Sequence, residues 1–212
     1  MFGITNFTAF IVAGIILNLT PGADTLYILG RSVSQGRKAG IYSALGISVG
    51  CLIHTMLAAF GLSMIIAQSQ TAFAVVKYAG ALYLFYLGIR MILSNPAMAA
   101  FELDTQTRQT SFQKIFLSGI ITNVLNPKVA LFFLAFLPQF VESGEANNPV
   151  PFLILGFTFI TTGTLWCLML AFFSSMLARK IRQNYFMKRW LDRLAGILFI
   201  TLGVKLALQT RQ

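Results

Sequence analysis

The sequence predicts an all-α integral membrane protein built from six transmembrane helices, as two inverted repeats of three. Three observations carry that expectation. Of the 212 residues, 57% are hydrophobic and only 10% are charged, whereas soluble domains run near a quarter charged. Mean hydropathy is +0.75. The apolar residues gather into runs long enough to cross a bilayer core, which takes about 20 residues. Alternating ten-residue segments of the kind that build a membrane β-barrel are absent. Lipid leaves a backbone no outside partners, so a helical bundle follows.

The runs fall at about 7–30, 39–67, 71–93, 112–137, 151–178 and 191–209. The opening stretch "MFGITNFTAF" lacks a basic n-region and a small-residue cleavage site, so the first run reads as a retained helix and not a signal peptide. The second and fifth runs hold no charged residue. "GISVG" (46–50) in the second offers small residues four apart for close helix packing. A single domain over 1–212 is expected, with repeat one at about 1–93, a cytoplasmic linker at about 94–111 and repeat two at about 112–212.

Charge placement sets the orientation. The net charge is +10, and 12 of the 16 basic residues fall in three places. These are Arg31, Arg37 and Lys38; Arg90, Arg108 and Lys114; and Arg179, Lys180, Arg182, Lys188, Arg189 and Arg193. The alternate linkers 67–72 and 138–151 hold no Lys or Arg, and the second carries Glu142 and Glu145. By the positive-inside rule the basic loops are cytoplasmic and both termini lie on the other side. The segment "RKIRQNYFMKRW" (179–190) suits either a stretch against anionic lipid, with Tyr185, Phe186 and Trp190 at headgroup depth, or a solvated loop. Because topology already explains the charge, no nucleic-acid partner is expected. Cys51 and Cys167 lie in apolar runs, match no metal spacing and read as buried thiols.

The halves resemble each other. "KYAGALYLFYLGIR" (77–90) matches "RLAGILFITLGVK" (193–205) with one gap, and "NLTPGADTLYILG" matches "VLNPKVALFFLA", with Pro21 on Pro127. Three helices per repeat require the second copy to enter the membrane inverted, an arrangement used by transporters. Pro21 with Gly22, and Pro127, are expected to break the first and fourth helices. Polar groups surround both breaks: Asn18, Thr20 and Asp24 in one, Asn123, Asn126 and Lys128 in the other. Irregular backbone and charge at membrane depth face protein or a cavity. These residues are therefore the expected substrate or proton site, with Asn18, Asp24, Asn126 and Lys128 facing one cavity. Lys128 aligns with Gly22, two residues from Asp24, so the two charges are expected to meet near the repeat axis. That meeting admits a structural ion pair as well as a site. His54, the one histidine, suits a proton relay and a hydrogen-bonded packing role equally.

Two motifs then resemble a known family. "LTPGADTLYILGRSVSQGRKAGIYSALGISVG" and "NVLNPKVALFFLAFLPQFV" look like those of the LysE/RhtB amino-acid exporters, and the likeness in length and spans covers nearly the whole chain. Relatives usually show Ser/Thr-Pro-Gly-Pro in the first motif, often followed by Asp. Here Ala23 stands in place of the second proline, which bears on the local bend, and Asp24 is kept. The resemblance implies a secondary transporter in the bacterial inner membrane that exports homoserine-, threonine- or leucine-like amino acids or small derivatives by proton antiport. The partners it implies are a small amino acid, protons and membrane lipid, with a homodimer as an option and neither cofactor nor metal. The alternatives are a divalent metal-ion exporter of related architecture, a small-solute channel, or a membrane enzyme. H-E-x-x-H does not occur, and one carboxylate and one histidine deep within the runs would supply a hydrolytic site poorly, so an enzyme is not expected.

Overall fold

A computed structural model describes residues 2–62, 110–145 and 147–174, with scattered positions between 75 and 93 and between 193 and 208. Among these residues the chain is helical, and extended pairing is confined to a single bridge between Ile4 and Val141.

Helix α1 spans Phe7–Leu19. After a three-residue interruption, α2 runs over Ala23–Met56 and passes into a wider π-helical turn at Leu57–Leu62. Helix α3 spans Phe112–Val124, and α4 starts at Pro127 and runs to Leu131. It continues as a π turn over Phe132–Phe136 and a 3-10 turn over Leu137–Phe140. Helix α5 spans Pro149–Phe172.

The starts of α3, α4 and α5 follow from their caps. Ser111, Asn126 and Asn148 each accept a bond from a backbone N–H of the first turn, and Pro127 and Pro149 follow two of them in the first helical turn. A proline there gives up an N–H that would have no partner anyway. The Asn148 cap starts the fifth span at 149, ahead of the expected 151.

Helical backbone is interrupted at both prolines. Between α1 and α2 the interruption is Thr20–Gly22, and on the far side of it α2 runs on as one long helix. α3 and the segment Pro127–Phe140 make up a bent pair, at 48°. The expected loop between the first and second spans is much shorter than the basic cluster at 31–38 suggests. Helical backbone continues through it, interrupted only at Gly36 (φ 84°, ψ 176°). One glycine in a conformation closed to L side chains does the work of a loop.

The helix Ala23–Gly61 and α5 are each long and apolar enough to cross a membrane, and the bent pair adds a third crossing if taken as one span. At 24 residues, α5 is about 36 Å long, enough for a hydrocarbon core of about 30 Å. Large apolar side chains such as Val12, Leu45, Phe157 and Leu165 are exposed, as a lipid-facing surface requires. The chain is a membrane protein of helices. The expected third and sixth spans, the linker 67–72, most of 94–111 and the segment 179–190 lie largely or wholly outside the described residues. Every described position between 75 and 93 and between 193 and 208 is helical. Two of them, Gly88 and Gly196, meet closely: a Cβ on Gly88 would lie 2.6 Å from the Gly196 carbonyl oxygen.

Packing centres on two clusters. Phe10 of α1, Phe132 and Phe136 of the fourth span, and Phe159 of α5 stack at ring separations of 4.5–6.3 Å. Ile28, Leu29, Ala44 and Ile47 of α2 pack on Cys167, Leu170 and Ala171 of α5. Between α2 and α3 the backbones nearly touch. A Cβ on Gly119 would sit 2.9 Å from the Ser43 carbonyl oxygen and 3.3 Å from Gly46 Cα, so the "GISVG" face serves close packing. At one end of the bundle Thr5 N donates to Phe140 O and Glu142 N to Gly3 O. The N-terminal segment and the 138–148 linker therefore lie together at that end of the bundle. At the other end Arg31 Nη1 donates to Thr110 Oγ1, and Thr110 N donates to Gln35 Oε1.

Candidate functional site

The first break begins at Thr20, whose extended backbone (φ −70°, ψ 120°) is the conformation a following proline favours. Its N–H reaches back to Ile16 O and Leu17 O, and its hydroxyl donates to Ile16 O at 2.8 Å. Gly22 is also extended and supplies no side-chain cap to α2. Asp24 lies in the uncapped first turn, where a carboxylate complements the positive end of the helix dipole. Ala23 is the first helical residue. The second proline usual in the resembling motif would only pre-set φ there, so its loss leaves the bend intact.

The second break has the same length of helix before it, since α1 and α3 each run 13 residues. It is closed differently. Asn126, 3% exposed, caps α4 by accepting from Lys128 N at 3.1 Å, and Pro127 follows.

The breaks are then laced together. Lys128 Nζ donates to Leu17 O at 3.1 Å and to Thr20 O at 2.9 Å, so a cation sits on the carbonyl end of α1. Gly22 makes room for it: a Cβ there would be 3.2 Å from that nitrogen. In return Asn123, fully buried, donates its Nδ2 to Asp24 Oδ2 at 2.9 Å. His54 Nε2 lies 3.3 Å from Asn123 O, and the ring stacks on Phe133 at 5.7 Å. A carbonyl only accepts, so Nε2 carries the proton in that contact. Each broken half-helix thus has a terminal carbonyl satisfied by a nitrogen from elsewhere in the chain.

Asp24 and Lys128 line one small cavity with Leu17, Asn18, Ile47 and Ser48, closed by Phe159, Thr164, Trp166 and Cys167. Its volume is about 30 Å³, room for water but not for an amino acid. Asn18 Nδ2 is 3.5 Å from Thr162 Oγ1, and the Ser48 and Thr164 hydroxyls bond at 2.7 Å across the α2–α5 seam. Two buried polar atoms of the lining, Asp24 Oδ1 and Trp166 Nε1, have no hydrogen-bond partner among the described residues.

Of the expected site residues, Asn18, Asp24 and Lys128 reach the cavity. Thr20, Asn123, Asn126 and His54 do not line it. They stand behind it and hold the breaks in shape. Asn126 caps α4 with its Oδ1, and its amide also interacts with the Asp24 carboxylate. Lys128 and Asp24 line the same cavity; the ammonium also donates to α1 carbonyls, and Asn123 bonds the carboxylate. Sequence reasoning passed over Ser48, Thr164 and Trp166, and took both cysteines as packing only, although Cys51 and Cys167 line the cavity. The signal available was "TTGTLW" (161–166), a polar stretch inside a span without charges. Among the described residues no three of His, Cys, Asp and Glu come together as a metal site.

The model of a family described as LysE type translocator matches residues 15–210. The chain is 30% identical over 207 residues to the uncharacterized membrane protein YrhP of Bacillus subtilis (strain 168), covering 94% of this chain and 97% of that protein. It is 29% identical over 211 residues to a leucine efflux protein of Enterobacter sp. (strain 638), covering 97% of each. A leucine efflux protein of Salmonella choleraesuis (strain SC-B67) is 30% identical over 209 residues, covering 97% of this chain and 96% of the relative. No solved structure matches.

Proposed function

The chain belongs to the LysE type translocator family, and from that premise we propose that it exports small neutral amino acids, leucine-like in the first instance, in exchange for protons. The carrying observation is the chamber between the two broken helices, in which Asp24 keeps one carboxylate oxygen uncommitted. An α-amino acid brings an ammonium, and a desolvated carboxylate is its natural partner. Ile47, Val129, Phe159 and Ile160 give the same chamber an apolar wall for an uncharged side chain. The leucine efflux proteins among the relatives support that choice of substrate.

Coupling follows from the same oxygen. Ammonium and proton compete for one carboxylate, since a protonated Asp24 has no charge with which to hold the substrate. Loading from the cytoplasm displaces a proton inward, and a proton from the outer side displaces the amino acid outward. The two occupancies exclude each other, which is the requirement for antiport. The resting volume of about 30 Å³ admits no amino acid. Binding therefore requires α5 to part from α2 along the Ser48–Thr164 seam. Two three-helix repeats of opposite orientation, about 1–93 and 112–212, would give the inward and outward openings equivalent geometries. The matched breaks of the first and fourth spans support that reading. The basic loops support a bacterial inner-membrane topology with both termini outside.

Purified protein in liposomes tests the proposal. Leucine counterflow that acidifies or alkalinises the lumen according to the imposed gradient is expected. Efflux of divalent cations with no amino-acid counterflow would overturn it.

A further inference from the structure

We infer that Trp166 is the residue that recognises the carboxylate of the transported amino acid, its indole N–H donating to the carboxylate while Asp24 holds the ammonium. The inference rests on the transport reading above and adds to it an orientation for the substrate.

The reasoning starts from what an α-amino acid demands. Its ammonium and carboxylate sit on neighbouring carbons, so a site that desolvates both needs an acceptor and a donor facing the same small volume. Lys128 is the obvious candidate for the donor. Its ammonium already donates to Leu17 O and Thr20 O, however, and those carbonyls terminate a half-helix that would otherwise leave them orphaned at membrane depth. Recruiting Lys128 for substrate would undo the break that forms the site.

Trp166 is in a different position. It lines the same chamber from α5, its ring packs against the cluster of Ile28, Ala44 and Cys167, and its Nε1 is buried without a partner among the described residues. Indole N–H is a donor only, and a buried donor left unmatched is costly. Opposite it in kind, Asp24 Oδ1 is a buried acceptor without a partner in the same lining. One unmatched donor and one unmatched acceptor around one chamber are the complement of a zwitterion. A rigid ring seated on a packed cluster also holds its N–H at a fixed height, which suits discrimination.

Leucine and its decarboxylated analogue 3-methylbutylamine separate this role from simple packing. Both carry the ammonium and the same apolar group, and only leucine has the carboxylate. In proteoliposomes W166F keeps an aromatic ring and removes the N–H. We expect the half-saturating leucine concentration to rise about ten- to a hundredfold, the range for a hydrogen bond to a charged group. Inhibition of counterflow by 3-methylbutylamine should stay within about twofold of wild type, because its contacts do not include the indole N–H. Equal weakening of both compounds would overturn the inference in favour of a packing role. An unchanged leucine affinity would overturn it as well. A second measurement does not depend on the stability of that variant. The chain has two tryptophans, so in W190F the emission reports Trp166 alone. Leucine is expected to red-shift it and 3-methylbutylamine to leave it in place, and no difference between them counts against the inference. A wild-type protein that neither carries nor binds leucine overturns the transport reading and this inference together. Carriage of leucine without the W166F effect overturns this inference alone.

Discussion

The two helix breaks are built on one plan and finished differently. Each follows a 13-residue half-helix, and each restarts next to a proline. At the second, Asn126 caps the new helix and the neighbouring Lys128 is committed to backbone carbonyls. At the first, Gly22 offers no cap and Asp24 keeps one oxygen unmatched. The second break is a clamp, and the first is left chemically open. The same backbone interruption thus supports two jobs, and what separates them is the side chains placed within two or three residues of the proline.

The largest expected effect breaks the open side. Asp24→Asn keeps the shape and the contact with Asn123 but removes the titratable charge. Leucine export in proteoliposomes should fall below detection while the protein remains folded and inserted. Normal efflux in a stable variant would falsify the role given to Asp24.

Lys128→Met strikes the clamp. It removes a cation from Leu17 O and Thr20 O, and hydrogen bonds to charged groups contribute about 1.5–3 kcal/mol each. A clear drop in melting temperature in detergent is expected, with lower expression. An unaltered melting temperature would mean that the ammonium does not hold the break closed.

Asn126→Ala removes the cap, at a cost of about 1 kcal/mol. Export should survive, with any change in leucine affinity smaller than that of Asp24→Asn, since Asn126 reaches the substrate only through Asp24. Loss of substrate affinity without loss of stability would move it back into the site.

The smallest effect is expected at His54. It bonds a backbone carbonyl and stacks on Phe133, and neither contact passes a proton onward. His54→Gln should lower stability by about 0.5–1.5 kcal/mol and leave the pH profile of export where it is. A displaced profile would restore the relay role.

Much of this plan was legible beforehand because it is local. Proline at 21 and 127 forces interruptions wherever the chain folds, and the charges beside them are too costly for lipid. Which partner each charge takes was not legible. Lys128 and Asn123 reach across to a segment 111 and 99 residues away, and only the packed bundle says that one meets carbonyls and the other the carboxylate. Trp166 and Ser48 were overlooked for a related reason. A tryptophan or serine in an apolar span looks like packing until its polar atom is found buried beside an unmatched oxygen. The turn at Gly36 was hidden by composition, since the charged residues around it suggest a loop while their backbone stays helical.

The wall of the chamber has a bioenergetic side. An exporter driven by the proton gradient sits in the membrane that stores the gradient, and it must not short-circuit it. Protons cross hydrophobic barriers by hopping along unbroken files of water. Across the α2–α5 wall of the chamber the Ser48 and Thr164 hydroxyls bond each other, so their polar atoms are engaged and not free to join such a file. On the proposed exchange with protons, an engaged wall of this kind is what would keep an idle carrier from leaking the gradient.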